Sequence, residues 1–229
     1  MHRRTLLKTS AGLAITALVG GQSAAASPKG SCQPRDPLRH LMAGNHRFAN
    51  AWQEAARNAS TNLGDELHNN RCFNPPQTLI EEQHPWATVL TCADSRVSPS
   101  WIFDTTPGEL FVIRSAGNTA FDEAIASIEY SVSILQTPLV MVMGHSGCGA
   151  VSTAMGDGVL SPSLERLITP IRSQIADSTD LAEAVRSNAQ GTAATLRSNS
   201  TLLREAEANG AMSLVVSYFN LQTGAVTLI

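Results

Sequence analysis

The chain has 229 residues, 43% of them hydrophobic, with 16 lysines and arginines against 19 aspartates and glutamates for a formal charge of −3. No Lys/Arg block occurs after the first eight residues, which argues against nucleic acid as a partner. Four cysteines are too few for a disulfide scaffold at this size, so each has to be weighed by itself.

The chain opens on Met1-His2-Arg3-Arg4-Thr5-Leu6-Leu7-Lys8, followed by an apolar run from Ala11 to Val19 and then Gly20-Gly21. Ser23-Ala24-Ala25-Ala26 supplies small residues of the A-x-A kind, so residues 1–26 read as a signal peptide cleaved after Ala26. The run is far shorter than the ~20 residues a membrane span needs, so no stable span is expected. The arginine pair resembles the twin-arginine type of bacterial export signal, and Gly12 and Thr16 keep the run mildly hydrophobic; an ordinary secretory signal is the alternative. Either way the expected location is periplasmic or secreted.

Residues 27–36 are polar, carry Pro28 and Pro34, and read as a flexible arm. Residues 37–229 are expected to form one domain. Leu38, Leu41, Met42, Phe48 and Trp52 recur at helical spacing and predict an amphipathic helix over 37–56. A short helix is expected around 61–68, and Asn74-Pro75-Pro76 interrupts the chain. Ala87 to Thr91 is a buried strand ending at Cys92, and Leu110 to Arg114 is a second strand entered through Pro107-Gly108. Residues 120–135 show a helical face, and Leu139 to Met143 is the most hydrophobic strand, closing on Gly144-His145. Residues 150–209 are mostly helical, broken near Ser161-Pro162 and Asn199-Ser200. Met212 to Phe219 returns to strand, with Gln222-Thr223-Gly224 turning into a final strand over 225–229. This alternation predicts an α/β fold: a mostly parallel sheet flanked by helices, with an N-terminal helical arm and a C-terminal hairpin.

Two short constellations stand at the C-terminal ends of predicted strands, the edge where open α/β sheets place their sites. They are Cys92-Ala93-Asp94-Ser95-Arg96 and His145-Ser146-Gly147-Cys148-Gly149. Cys92, His145 and Cys148 together offer two sulfurs and an imidazole, a good zinc set, and three ligands leave a fourth position open for water. Asp94 is placed to orient that water, and Arg96 to hold Asp94 ionised. Two thiolates would cancel the formal double charge of zinc, so the acidifying effect on water should be weaker than with imidazoles.

Cys-x-Asp-x-Arg followed by His-x-x-Cys resembles the hallmark of the β-class carbonic anhydrases. The resemblance covers most of Gln83 to Ala150, through Asp94-Ser95-Arg96-Val97, Pro107-Gly108-Glu109, Phe111-Val112-Ile113-Arg114 and Ile128-Glu129-Tyr130. It implies one Zn2+ per chain and hydration of carbon dioxide to bicarbonate by zinc-bound hydroxide, with activity rising on the alkaline side. It also implies that Gln83, Phe111 and Tyr130 line the substrate pocket, and that Gly149 brings a backbone group near the reacting water. A homodimer or dimer of dimers, embraced by the N-terminal helix with Phe48 and Trp52, is implied as well. Ala93 stands where serine is common, and Ser115-Ala116-Gly117-Asn118 replaces an asparagine-led sequence. In some relatives the aspartate joins zinc as a fourth ligand and closes the site, a role open to Asp94. Hydrolysis of carbon disulfide or carbonyl sulfide at the same zinc site, and a non-catalytic zinc-stabilised module, are the competing readings. Cys32 and Cys72 are left with three possibilities: a disulfide in an oxidising compartment, a buried free thiol, or Cys72 as a structural zinc ligand.

Overall fold

The computed structural model describes residues 32–67, 72–176 and 178–229. The expected signal peptide and the first half of the expected arm, residues 27–31, lie outside the described residues.

Helix α1 spans Pro37–Arg57. Asp36 caps it by accepting a hydrogen bond from the Arg39 amide, and Pro37 occupies the first turn, where a missing N–H costs nothing. A short α2 (Leu63–Glu66) and α3 (Pro76–Glu81) lead to β1 (Ala87–Cys92). Next come α4 (Pro99–Ile102), β2 (Leu110–Ser115), a 3₁₀ turn over Ala116–Asn118, α5 (Asp122–Ser133) and β3 (Leu139–His145). The chain ends through α6 (Gly149–Ala154), α7 (Pro162–Gln174), α8 (Leu181–Asn199), α9 (Thr201–Ala208), β4 (Ser213–Phe219) and β5 (Val226–Leu228). The predicted breaks have local causes. Ser161 caps α7 with Pro162 behind it, and Ser200 ends α8 while its hydroxyl accepts from the Leu203 amide to start α9.

Among the described residues the strands form one sheet in the order β2-β1-β3-β4-β5, parallel except for the β4–β5 pair. Every residue of β1 and β3 is buried, as helices on both faces require. Alternate side chains divide between the faces. Val89, Met141, Met143 and Phe219 meet Leu41, Phe48 and Ala51 of α1 and Ile102 of α4. Leu90, Val140, Val142 and Leu214 meet α5, α8 and α9. Phe48 is thus committed to its own sheet, and Trp52 Nε1 donates to the Leu221 carbonyl of the same chain. The α1 side is drawn tight at Gly44, where a Cβ would lie 1.9 Å from the Phe103 carbonyl oxygen.

Cys32 and Cys72 form a disulfide with Cα atoms 5.4 Å apart, tying the arm to the segment ahead of α3. Gln33 adds a second tether by donating to the His84 carbonyl at 2.8 Å. Among the described residues no helix is long and apolar enough to cross a membrane.

Candidate metal centre

Adjacent parallel strands β1 and β3 pair Thr91 with Met143, so their C-terminal tips bring Cys92 and His145 together. The chain then turns through Gly147, at φ +65°, and delivers Cys148 to the N-terminus of α6. The Sγ atoms of Cys92 and Cys148 and a ring nitrogen of His145 lie within 4.8 Å of one another, and all three residues are buried. The cysteines are the two free thiols of the described chain; Cys72, in its disulfide, is no ligand.

The donor set fits a metal. The two sulfurs are 3.9 Å apart. With Zn–S bonds of about 2.3 Å that separation subtends roughly 116° at the ion, close to tetrahedral. His145 Nδ1 lies 3.0 Å from the Ser146 carbonyl oxygen, which can only accept, so Nδ1 carries the proton. Nε2 is then the lone-pair nitrogen, and it is buried with no hydrogen-bond partner. A buried unpaired acceptor facing two sulfurs is what a metal ligand leaves when the ion is not counted. Ser146 is itself fixed by the end of β4: its amide donates to the Phe219 carbonyl and its hydroxyl accepts from the Leu221 amide, both at 2.9 Å.

Asp94 stands just outside this cluster, its Oδ2 3.9 Å from His145 Nε2. Arg96 takes both carboxylate oxygens, Nε to Oδ1 at 2.9 Å and Nη2 to Oδ2 at 2.7 Å, and its backbone amide adds a third bond to Oδ1. These bonds from Arg96 hold the Asp94 carboxyl well below the usual carboxylate range. Between the thiols, the hydrogen bond from Cys148, helped by the Gly117 amide, brings Cys92 down to about 4 against the opposing effect of burial. Cys148 is pushed up, by engaging Cys92 and by burial. Without metal the pair therefore holds one proton between them.

Gln83 is exposed in the link between α3 and β1. Phe111 pairs in register with Thr88, four residues before Cys92, or about 13 Å back along the strand at ~3.3 Å per residue. Its ring lies 6.3 Å from that of Tyr130, which is 44% exposed on α5. Within one chain the structure brings Phe111 and Tyr130 together but does not gather either at the thiols. Gly149 opens α6 beside Cys148, and a Cβ there would meet nothing within 4 Å.

Two supports have no counterpart among the expected site residues. Arg114 donates from one guanidinium to the carbonyls of Cys92 (3.1 Å), Asp94 (2.7 Å) and Val97 (2.8 Å), clamping the loop that carries ligand and carboxylate. Its signal in the sequence is a charged residue closing an apolar strand. Gly117 donates its N–H to Cys92 Sγ at 3.3 Å and accepts from Asn188 at 2.8 Å. The signal for Asn188 is a polar residue on the apolar stripe of α8.

A sequence model of the carbonic anhydrase family matches residues 87–226. A carbonic anhydrase of Mycolicibacterium smegmatis is 32% identical over 181 residues, covering 75% of this chain and 87% of the relative. Carbonic anhydrase 2 of Mycobacterium tuberculosis is 32% identical over 200 residues, covering 82% and 89%. In fold the chain is similar to a tetrameric β-carbonic anhydrase of Sordaria macrospora, with a TM-score of 0.60, 24% identity and coverage of 84% and 96%. It is also similar to the Coccomyxa β-carbonic anhydrase solved with acetazolamide, with a TM-score of 0.59, 23% identity and coverage of 86% and 87%. The shared sheet, the match across nearly every element from β1 to β5 and the paired Cys-x-Asp-x-Arg and His-x-x-Cys motifs agree: the chain belongs to the β-class carbonic anhydrase family.

Proposed function

We propose that the protein is an exported zinc enzyme that interconverts carbon dioxide and bicarbonate, its metal held by Cys92, His145 and Cys148. The observation that carries this reading is a buried cluster of three ligand atoms with a poised carboxylate beside it. A structural zinc site closes with four protein ligands, whereas three leave a position for water. When bound, zinc supplies Lewis acidity there, drawing the pKa of that water toward neutrality. Asp94 accepts the water's hydrogen bond and aims it, and Arg96 keeps the carboxylate ionised by occupying both oxygens. The bare backbone at Gly147 and Gly149 leaves room for a small linear substrate to approach.

Phe111 and Tyr130 act as pocket residues in this reading only across a subunit boundary, since each lies away from its own thiols. β2 is an edge strand, and Val112 on it, Tyr130 on α5 and Ile134 just past the end of α5 are 37%, 44% and 65% exposed. An exposed edge with an apolar face is suited to a second copy of the chain, giving a homodimer or a dimer of dimers. Gln83 joins the pocket on the same terms. Export is supported by the basic start, the short apolar run and the Cys32–Cys72 pair, since such bonds persist in oxidising compartments.

The test is stopped-flow hydration of carbon dioxide on the mature protein, with metal content determined on the same sample. Activity with about one zinc per chain, abolished by Cys148→Ser, is expected. Tightly held zinc without hydration across pH 7–9 would overturn the reading.

A further inference from the structure

Asn188 is fully buried in the middle of α8. Its Nδ2 donates to the Gly117 carbonyl at 2.8 Å, while its Oδ1 has no partner. Asparagine is a poor helix former, and a half-satisfied buried amide is unfavourable. Its neighbours on the same stripe are Ala184, Val185, Ala189, Ala193 and Leu196, among which an apolar side chain would pack without either cost. What Asn188 holds explains its presence. Gly117 adopts φ +70°, and a Cβ there would lie 2.5 Å from Ile171 Cδ1 and 3.2 Å from the Ala150 Cβ. This one residue is gripped on both of its peptide units: α8 reaches the carbonyl that follows its Cα, and the N–H that precedes its Cα reaches Cys92 Sγ at 3.3 Å.

We propose that Asn188 is a positioning residue for the metal centre, fixing the Gly117 residue so that its N–H stays on the Cys92 sulfur when metal is bound. The inference rests on the zinc reading above. An N–H aimed at a thiolate orients the sulfur and draws charge from it, so the ion keeps more of its own charge. Removing an outer hydrogen bond of this kind typically costs about 10–100-fold in metal affinity.

Cobalt(II) in place of zinc makes the sulfur environment visible through its thiolate-to-metal charge-transfer band. Asn188→Ala removes the donor with the smallest change to the helix, and Asn188→Leu removes it while filling the space the amide occupied. Both variants should shift the band and lose cobalt to a chelator about 10–100-fold faster than the parent. Thr192→Val is the control: it lies one turn further along α8, equally buried and with an unpaired hydroxyl, and should change neither readout. Asn188 variants with the parental band and release rate, even at a lowered melting temperature, would reduce the residue to a structural tether and overturn the inference. Should neither variant fold, the parent loaded with cadmium-113 decides the matter: the Gly117 amide proton should couple to the metal through the sulfur, and no coupling overturns the proposal. A parent that takes up no cobalt with a thiolate band overturns the zinc reading, and this inference with it.

Discussion

Replacing both Cys32 and Cys72 by serine isolates the contribution of their disulfide. The bond joins positions 40 residues apart, with α1 inside the loop. In the chain-entropy treatment a loop of that length removes about 13 cal/mol/K from the unfolded ensemble, or about 4 kcal/mol at 25 °C. The folded side of the balance changes little, because α1 is anchored independently. Leu41 and Phe48 sit in the core, and the buried Asn45 donates to the Ile102 and Gly224 carbonyls and accepts from the Val226 amide. With an unfolding entropy of about 2.1 cal/mol/K per residue over about 200 residues, the loss corresponds to a melting temperature lower by about 10 °C. Thermal unfolding of parent and double variant, both zinc-loaded, measures it directly. Urea unfolding should show a larger m-value in the variant, whose unfolded chain is free to expand. Zinc content should not change, since Cys72 lies outside the thiol cluster. A double variant melting within about 1 °C of the parent would refute the loop-closure reasoning, and a fall in zinc would refute the assignment of ligands.

Metal uptake should release one thiol proton. Cys92, at about 4, is already ionised at neutral pH, while Cys148 is held protonated by engaging Cys92 and by burial. Only the raised group still has a proton to lose, so affinity should climb with pH by about one decade per unit between pH 7 and 8; calorimetry in buffers of different ionisation enthalpy would expose a slope of two as an error in this partition. Arg96→Gln frees both oxygens of Asp94 and lets its depressed carboxyl pKa return upward, and kcat/KM should fall by about 10–100-fold with zinc retained. Loss of zinc from that variant would instead make Arg96 a support of the ligand loop. Ile134→Asp places a charge at the end of α5 on a side chain that is 65% exposed and, in the proposed dimer, should convert the assembly to monomer in sedimentation, with hydration falling in step. A fully active monomer would remove Phe111 and Tyr130 from the pocket.

What could be read from the sequence was what neighbouring residues decide. β1 and β3 were legible because burial on both faces demands unbroken apolar runs, and the ligands stand where those runs end. The breaks at Ser161-Pro162 and Asn199-Ser200 were legible because capping is local chemistry. The proline pair at 75 and 76 misled in one respect: it reads as an interruption, yet Pro76 opens α3 from a first-turn position. Phe48 and Trp52 looked available to a partner because periodicity shows that a face is apolar but not what covers it. The disulfide stayed open for the same reason, its two ends meeting only once the arm is placed. Arg114 and Asn188 were silent as site residues, since their partners lie 17 to 22 and 71 residues away.

Those distant supports answer a chemical difficulty in the ligand set. With zinc bound as proposed, two thiolates would cancel its double charge and leave a weaker Lewis acid than three imidazoles would. Around these sulfurs the protein places backbone amides: the Gly117 N–H donates to Cys92, and Cys148 stands at the N-terminus of α6, where the first N–H groups of the helix lie free of intrahelical partners. Each N–H takes up part of the negative charge that the sulfur would otherwise donate. Because these donors are main chain, no substitution short of proline deletes them directly; otherwise they fail when whatever holds the backbone fails. Arg114 clamps the Cys92–Val97 loop, and Asn188 grips Gly117. The sensitivity of the metal centre should therefore lie as much in these two residues as in Asp94 and Arg96, with the difference that Arg114 and Asn188 variants should shift the thiolate band of the cobalt(II)-substituted protein, whereas Asp94 and Arg96 variants should lower turnover and leave that band in place.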